Sequence, residues 1–204
     1  MITLLFSRYL FSLLAFVFLF VLGCVSSSPP RLYTLSSIQK GDKELKGLAS
    51  EQSLIVSVGP ITFPEYLDRA EIITRSSDNK VALSEFDLWA GSLKEDFSRV
   101  LAENLSVLLP TERVIVYPRL GSASANYQIT MDVIRFDGSL GRDVSLIARW
   151  TIIKGKEKKS VFFHKSTIVE PSGTQGYEAM IEAHNRALEK LSREIAEVIK
   201  TLSK

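Results

Sequence analysis

The chain has 204 residues, with 25 Lys and Arg against 23 Asp and Glu, which gives a formal net charge of +2. This near-neutral balance argues against a nucleic-acid partner, because neutralising a phosphate backbone requires an excess of basic side chains. The only cysteine, Cys24, excludes a disulfide within the chain. The length is sufficient for one domain with a sizeable core.

The N-terminal segment carries an apolar run over residues 9–22 that leads into Gly23-Cys24. A small residue before a cysteine at the end of such a run is typical of a bacterial lipoprotein signal, and the run is short for a membrane-spanning helix. We therefore expect residues 1–23 to be a signal peptide that is cut before Cys24, and Cys24 to be the lipidation site. The alternative is that residues 2–25 remain as an N-terminal transmembrane helix and that the cysteine is incidental.

Residues 24–31 are the acylated cysteine and a flexible tether in this interpretation. The segment reads CVSSSPPR, and its small polar residues and two prolines do not favour a packed helix. Fully extended, the seven residues after Cys24 reach about 25 Å. Two or more acyl chains would hold the chain at a membrane, because each buried methylene contributes about 0.8 kcal/mol. We expect residues 32–204 to be a single domain.

The sequence pattern of the first part of this domain predicts short strands. Four segments alternate in polarity or are rich in β-branched residues, and turn residues separate them. They are Leu32–Leu35, Leu54–Val58 with Gly59-Pro60 as its end, Glu71–Arg75, and a return strand that begins at Val81–Leu83 after the turn Ser76–Lys80. The last two strands form a predicted hairpin.

The clearest helix is predicted directly after this hairpin. Ser84 and Asp87 have the spacing of a capping box, and apolar residues then recur at helical spacing until Pro110 stops the pattern. Trp89 and Phe97 belong to this stripe. A stripe of this kind is typical of a core-facing helix, so we predict that both aromatic side chains are buried.

The C-terminal half predicts an antiparallel meander and a second long helix. Alternating or apolar segments with short turns between them indicate strands with one buried face. The predicted elements are the strands Val114–Tyr117, Tyr127–Phe136, Val144–Ile153 and Val161–Val169, the turns Asp137–Gly141 and Gly155–Lys159, and the helix Gln175–Leu202. The predicted fold class is α+β, a mostly antiparallel sheet with two long helices packed against it.

Sequence patterns that would indicate an enzyme are missing. There is no G-x-S-x-G nucleophile motif and no H-E-x-x-H zinc motif, and the two histidines, His164 and His184, lack the spacing of metal ligands. We therefore expect no catalytic residue, no metal site and no cofactor.

Several short motifs extend over most of the chain after Cys24 and are densest between Val58 and Leu109. They are Tyr33-Thr34-Leu35, Gly59-Pro60, Pro64 to Arg69, Ile72-Ile73-Thr74-Arg75, Phe86 to Ala90, and Leu101 to Leu105. These motifs resemble those of the PqiC-like family, the auxiliary lipoproteins of ABC-type intermembrane transport systems.

The resemblance implies a non-catalytic lipoprotein subunit that faces the periplasm and takes part in lipid movement between two membranes. Its implied partners are an MCE-domain protein and ABC-type or integral membrane transport components, besides the membrane itself through the acyl anchor. Val25 after the cysteine, rather than Asp, favours the outer membrane by the usual sorting convention. The alternative is an outer-membrane lipoprotein that activates or assembles another machine, such as a cell-wall synthase or the lipopolysaccharide export channel.

The segment Tyr66-Leu67-Asp68-Arg69 has two interpretations. In one, Asp68 and Arg69 cap and brace the turn between two strands. In the other, the loop is a docking element for a second copy of the chain in a homo-oligomer, or for the transport apparatus, because loops on a rigid sheet commonly carry function and exposed Tyr and Arg are enriched among interface hot spots.

Overall fold

A computed structural model describes residues 29–39, 54–119, 121–155 and 157–203. The predicted signal peptide and Cys24 lie outside the described residues. Within the described part of the chain, no helix is long and apolar enough to cross a membrane.

The described residues form eight strands and two long helices, which confirms the predicted α+β class. Two short 3-10 turns, Glu65–Leu67 and Ser122–Ser124, lie in loops. The elements are β1 Arg31–Tyr33, β2 Val56–Thr62, β3 Glu71–Ser77, β4 Lys80–Trp89, α1 Leu93–Leu108, β5 Val114–Val116, β6 Tyr127–Gly138, β7 Asp143–Lys154, β8 Lys159–Pro171 and α2 Tyr177–Leu202.

All eight strands belong to one sheet. Its order is β1-β4-β3-β6-β2-β5, and β7 and β8 continue from the other side of β6. The long ladders β3–β4, β6–β7 and β7–β8 are antiparallel, as predicted for the hairpin and the meander. The shorter pairings β1–β4, β2–β5, β2–β6 and β3–β6 are parallel.

The core lies between the sheet and the two helices. Phe97 of α1 is fully buried and stands edge-to-face to both Phe63 and Phe136, with ring centroids 5.2 Å apart in each pair. Trp89 is 6% exposed. The prediction that Trp89 and Phe97 are buried is therefore confirmed, but Trp89 is not on the helix.

The predicted start of the first helix is wrong. Ser84 and Asp87 form one of the two hydrogen bonds of a capping box, from the Asp87 amide to Ser84 Oγ at 2.9 Å, but they do so inside strand β4. The Asp87 carboxylate accepts from the Ser84 hydroxyl at 3.0 Å. The helix begins at Leu93, with Ser92 as its N-cap and the Glu95 amide donating to Ser92 Oγ at 3.4 Å. A register shift in the β3–β4 ladder accommodates the Ser84 to Asp87 segment.

The expectation that Gly59-Pro60 ends β2 is also wrong, because β2 continues to Thr62. A register shift against β6 between Val58 and Ile61 absorbs the two residues. Gly59 has a φ of +115°, and a Cβ there would lie 3.3 Å from Cβ of Tyr117. Both the backbone conformation and the close approach of Tyr117 therefore favour glycine at this position.

Strand β1 is clamped onto β4 by an ion pair. Arg31 donates from Nε and Nη2 to the two carboxylate oxygens of Asp87, each at 2.7 Å, and the Tyr33 hydroxyl donates to the same carboxylate at 3.0 Å. The hydrogen bonds from Arg31, and further ones from Tyr33 and Ser84, hold the pKa of Asp87 below its ordinary value despite its burial. The first strand, which begins at the last residue of the predicted tether, Arg31, is thus fastened to the domain.

Candidate docking loop

The loop between β2 and β3 divides the predicted docking segment into an inner and an outer half. A 3-10 turn covers Glu65–Leu67, and the amides of Leu67 and Asp68 donate back to Pro64 and Glu65. Leu67 is 3% exposed and Tyr66 is half-buried, whereas Asp68 and Arg69 are exposed. Tyr66 is therefore only partly accessible, whereas the docking interpretation assumed an exposed side chain.

Tyr66 is held by a buried carboxylate, that of Asp137, which is 1% exposed. The Tyr66 hydroxyl donates to Oδ2 of Asp137 at 2.7 Å. Arg75 donates from Nε at 2.9 Å and from Nη2 at 2.8 Å, and Nε of Arg135 donates at 2.9 Å. Three donor side chains therefore converge on one carboxylate, and they fasten the loop to β3 and β6.

The pKa values follow from this convergence. Burial alone would raise the pKa of Asp137, but hydrogen bonds from Arg75, Tyr66 and Arg135 outweigh it and hold the pKa below its ordinary value. Burial, followed by the hydrogen bond to Asp137, raises the pKa of Tyr66 to about 12. Asp137 is therefore ionised and Tyr66 is neutral at any physiological pH, so the brace does not titrate.

Arg75 connects this cluster to the hairpin. Its guanidinium carbon lies 5.9 Å from the centre of the Tyr66 ring, within the range of a cation–π contact. It also donates from Nη1 to the Asp78 carbonyl in the β3–β4 turn, at 2.8 Å. One side chain thereby links the loop, the buried carboxylate and the hairpin turn.

The brace differs from the one that sequence reasoning proposed. In the first of the two interpretations of the sequence, Asp68 and Arg69 brace the loop. In the structure, Tyr66 and Leu67 hold the loop, and the side chains of Asp68 and Arg69 form no hydrogen bond or ion pair with other described residues. Asp137 was missed because D-G-S-L-G predicts a turn, whereas β6 continues through Gly138 and the turn comes after it.

The two histidines lie apart from this loop. His184 of α2 is 1% exposed, and its Nδ1 lies 2.8 Å from the Met180 carbonyl. It packs edge-to-face against Phe136 and Trp89, and burial lowers its pKa to about 4. His164 is exposed on β8. Among the described residues, no three His, Cys, Asp or Glu side chains are grouped so that they could hold a metal ion.

An open cleft of about 1160 Å³ lies between α1 and β5, on another part of the surface. Its walls include Ser98, Ala102 and Glu103 of the helix and Val114 and Val116 of the strand. None of the four residues of the predicted docking segment lines it. The cleft and the loop are therefore separate features.

Comparison with known proteins identifies the family. The model of the ABC-type transport auxiliary lipoprotein components matches residues 33–196. The chain belongs to this family. It is similar to the intermembrane transport lipoprotein PqiC of Escherichia coli (strain K12), with 27% identity over 186 residues that cover 90% of this chain and 94% of PqiC. PqiC of Shigella flexneri matches with the same values.

Two solved structures share the fold. One, the crystal structure of an uncharacterized protein, has a TM-score of 0.68 at 20% identity and covers 84% of this chain and 99% of its own. The other, protein XCC0632 from Xanthomonas campestris, has a TM-score of 0.63 at 13% identity and covers 81% of this chain and 92% of its own. The sheet-and-helix architecture described above is therefore the fold of known proteins.

Proposed function

We propose that this chain is a non-catalytic outer-membrane lipoprotein of an intermembrane lipid transport system, and that it docks the transport apparatus on the periplasmic side. Residues 1–23 are the signal peptide, Cys24 carries the acyl chains, residues 24–31 are the tether, whose last residue, Arg31, already belongs to β1, and residues 32–204 are one periplasmic domain. Family membership and the similarity to a lipoprotein named for intermembrane transport support this function.

The observation that carries the docking role is the division of the loop. Tyr66 and Leu67 hold the backbone rigidly, while the neighbouring Asp68 and Arg69 present one carboxylate and one guanidinium to solvent. Because the backbone of the loop is already braced, binding has to order only the two side chains, and their opposite charges select a partner with the complementary arrangement. The partner is an MCE-domain protein or an ABC-type or integral membrane component of the same system.

The test is co-purification of the lipoprotein with the MCE-domain protein of its own system after the double change Asp68→Ala and Arg69→Ala. We expect loss of the complex with little change in melting temperature, because neither side chain braces the fold. The matched control is Asp132→Ala with Arg149→Ala, a pair of opposite charges that is 56% and 55% exposed elsewhere on the sheet. The control should retain the complex.

Three results would contradict the docking role of the loop. They are an intact complex in the Asp68 and Arg69 variant, loss of binding in both variants, or a large drop in melting temperature with binding retained in the folded fraction. Recovery of a cell-wall synthase or a lipopolysaccharide export protein instead of an MCE-domain protein would favour the alternative machine. Loss of a homo-oligomer, rather than of the MCE-domain protein, would assign the loop to contacts between copies.

A further inference from the structure

Three exposed aliphatic side chains, Leu32, Val81 and Leu83, lie on strands β1 and β4. They are 63%, 39% and 52% exposed. Leu32 pairs with Leu88, Leu83 pairs with Ile73, and Val81 pairs with Arg75. We call Leu32, Val81 and Leu83, together with the half-buried Leu88, the β1–β4 patch.

The strand register places the whole patch on one face of the sheet. Leu88, Leu83 and Val81 pair with Glu71, Ile73 and Arg75, which are alternate residues of β3. Alternate residues point to the same side, and paired residues on neighbouring strands share a side. The next residue after Leu88, Trp89, packs against His184 of α2, so the patch is on the face that the helices leave uncovered.

The chemistry of the patch favours lipid over protein. Its exposed side chains are aliphatic, whereas protein interface hot spots are enriched in Trp, Tyr and Arg and poor in Leu and Val. Aliphatic side chains suit the boundary between headgroups and acyl chains, where burial of apolar area stabilises association without any specific hydrogen bond.

The position of the predicted acyl anchor, Cys24, also favours lipid at the β1–β4 patch. Leu32 is eight positions after Cys24, so the two lie at most about 29 Å apart. Because β1 runs parallel to β4, the chain enters β1 from the end at which β4 begins, where Val81 and Leu83 lie. Leu32 is thus the exposed large apolar side chain nearest to Cys24 along the described chain, and Val81 and Leu83 lie on the neighbouring strand. Phe163 and Val169 lie on β8, and Tyr117 follows β5.

We propose that the β1–β4 patch lies against the phospholipid leaflet that holds the acyl chains of Cys24. This inference rests on the proposed acylation. The acyl chains supply the affinity, and the patch fixes the orientation of the domain, with the β1–β4 end of the sheet toward the membrane and β8 away from it. The Tyr66 brace borders the patch through Arg75, which places the docking loop close to the lipid surface.

The test uses the full chain, purified with its anchor and reconstituted in vesicles of phosphatidylethanolamine and phosphatidylglycerol that contain brominated acyl chains. Leu32→Trp and Leu83→Trp report depth through bromine quenching of tryptophan fluorescence. Phe163→Trp is the matched control, because Phe163 is 64% exposed against 63% for Leu32. The unsubstituted chain supplies the baseline from the buried Trp89 and Trp150.

We expect quenching of the added tryptophan in Leu32→Trp and in Leu83→Trp to be several-fold stronger than in Phe163→Trp. Equal quenching of all three variants would overturn the proposal, because Phe163 lies on β8 at the opposite end of the sheet, and the β1–β4 patch would then not be the part that meets the lipid. An absence of bromine quenching at Leu32→Trp and Leu83→Trp would also overturn the proposal. If these tryptophans were in addition shielded from iodide in water, a protein partner or a second copy of the chain would cover the patch instead of lipid.

Vesicle flotation separates this proposal from the one on which it rests. If the unsubstituted chain floats with the vesicles and the patch tryptophans are not quenched, the anchor stands and the patch proposal fails. If a chain that carries Cys24 does not float, the proposed acyl anchor fails, and the patch proposal fails with it.

Discussion

Arg75 and Asp137 form a two-point ion pair between β3 and β6, with nitrogen–oxygen distances of 2.9 and 2.8 Å. Strands β3 and β6 otherwise share a single paired position, Thr74 with Gly138. The ion pair therefore joins two parts of the sheet that the backbone ladder connects only weakly. It also fixes Tyr66, and through it the loop to which we assign docking.

The buried ion pair predicts a large effect of its loss. Asp137→Ala should lower the free energy of unfolding by about 3–5 kcal/mol, because it leaves Arg75 without its carboxylate in a largely buried site. Urea unfolding at neutral pH measures the change. Asp132→Ala is the control, since its 3.9 Å pair with Arg149 is exposed and should contribute less than about 1 kcal/mol. Similar small losses in both variants would contradict this account of the brace.

The Tyr66 hydroxyl predicts a smaller effect on stability. Tyr66→Phe removes one hydrogen bond to a charged, buried acceptor and should cost about 1.5–3 kcal/mol. Tyr117→Phe is the matched control, because Tyr117 is 44% exposed and its hydroxyl makes no such bond to a described residue. Chemical denaturation of both variants measures the difference. Equal stability of the two would show that Tyr66 does not brace the loop.

His184 predicts a dependence of stability on pH. Its pKa is lowered from about 6.5 in the unfolded chain to about 4 in the fold, so the unfolded state binds more protons below pH 6.5. Stability should therefore fall as pH falls from about 6.5 to about 4, by about 3 kcal/mol in total. Asp137, whose pKa is depressed, contributes its own loss only at lower pH, below about 4.

Urea unfolding between pH 4 and 7 tests the role of His184. His184→Gln should remove the slope over this range, whatever its effect on stability at pH 7. His164→Gln should keep the slope, because His164 is exposed. An unchanged slope in His184→Gln would assign the dependence to another group.

We predict a large loss of stability when the buried aromatic side chains of the core are truncated. Phe97→Ala and Trp89→Ala should each cost about 3–5 kcal/mol, because they remove large buried side chains. Phe163→Ala, at an exposed position on β8, should change the melting temperature little. Calorimetry measures all three variants. A melting temperature that stayed constant in Phe97→Ala would mean that the α1 face is exposed in solution.

We predict that replacement of Cys24 prevents maturation of the lipoprotein. Cys24→Ser should abolish labelling by radioactive fatty acid and leave uncleaved precursor in the inner membrane, because acylation and cleavage both need the cysteine. Ser26→Ala in the adjacent tether should mature normally. Membrane fractionation measures both variants. Normal maturation of Cys24→Ser would show that this residue is not the lipidation site.

Local patterns predicted the strands of the meander and the long C-terminal helix, because alternation and 3.6-residue spacing are properties of a single segment. The prediction of where α1 begins was wrong because of a contact between residues that are distant in the sequence. The Asp87 amide makes one local capping-box bond, to Ser84, but the Asp87 carboxylate binds Arg31, which is 56 residues earlier. The signal that would have placed the start correctly, Ser92 with Glu95 three residues later, was present in the sequence.

The structure of the docking loop was harder to predict than the helices and strands, because it depends even more on residues that are distant in the sequence. The motif from Tyr66 to Arg69 gave no indication of which half faces inward, because that depends on Asp137, 71 residues later than Tyr66. Asp137 itself occurs in a turn-like sequence, but in the fold it is a strand residue because β6 pairs with β7 there. Parallel pairings such as β1–β4 were not predicted either, since strand spacing alone does not specify which strands become neighbours.

The parallel pairing of β1 with β4 determines how the domain responds to force. The chain enters β1 from the end at which β4 begins, so tension from the N-terminal segment acts along the strand axis. In this geometry the backbone hydrogen bonds of the pair and the Arg31–Asp87 ion pair share the load and must break together, rather than one after another. A three-residue strand can thus serve as a shear-resistant joint, and a pull on the tether would reach the rest of the sheet through β4.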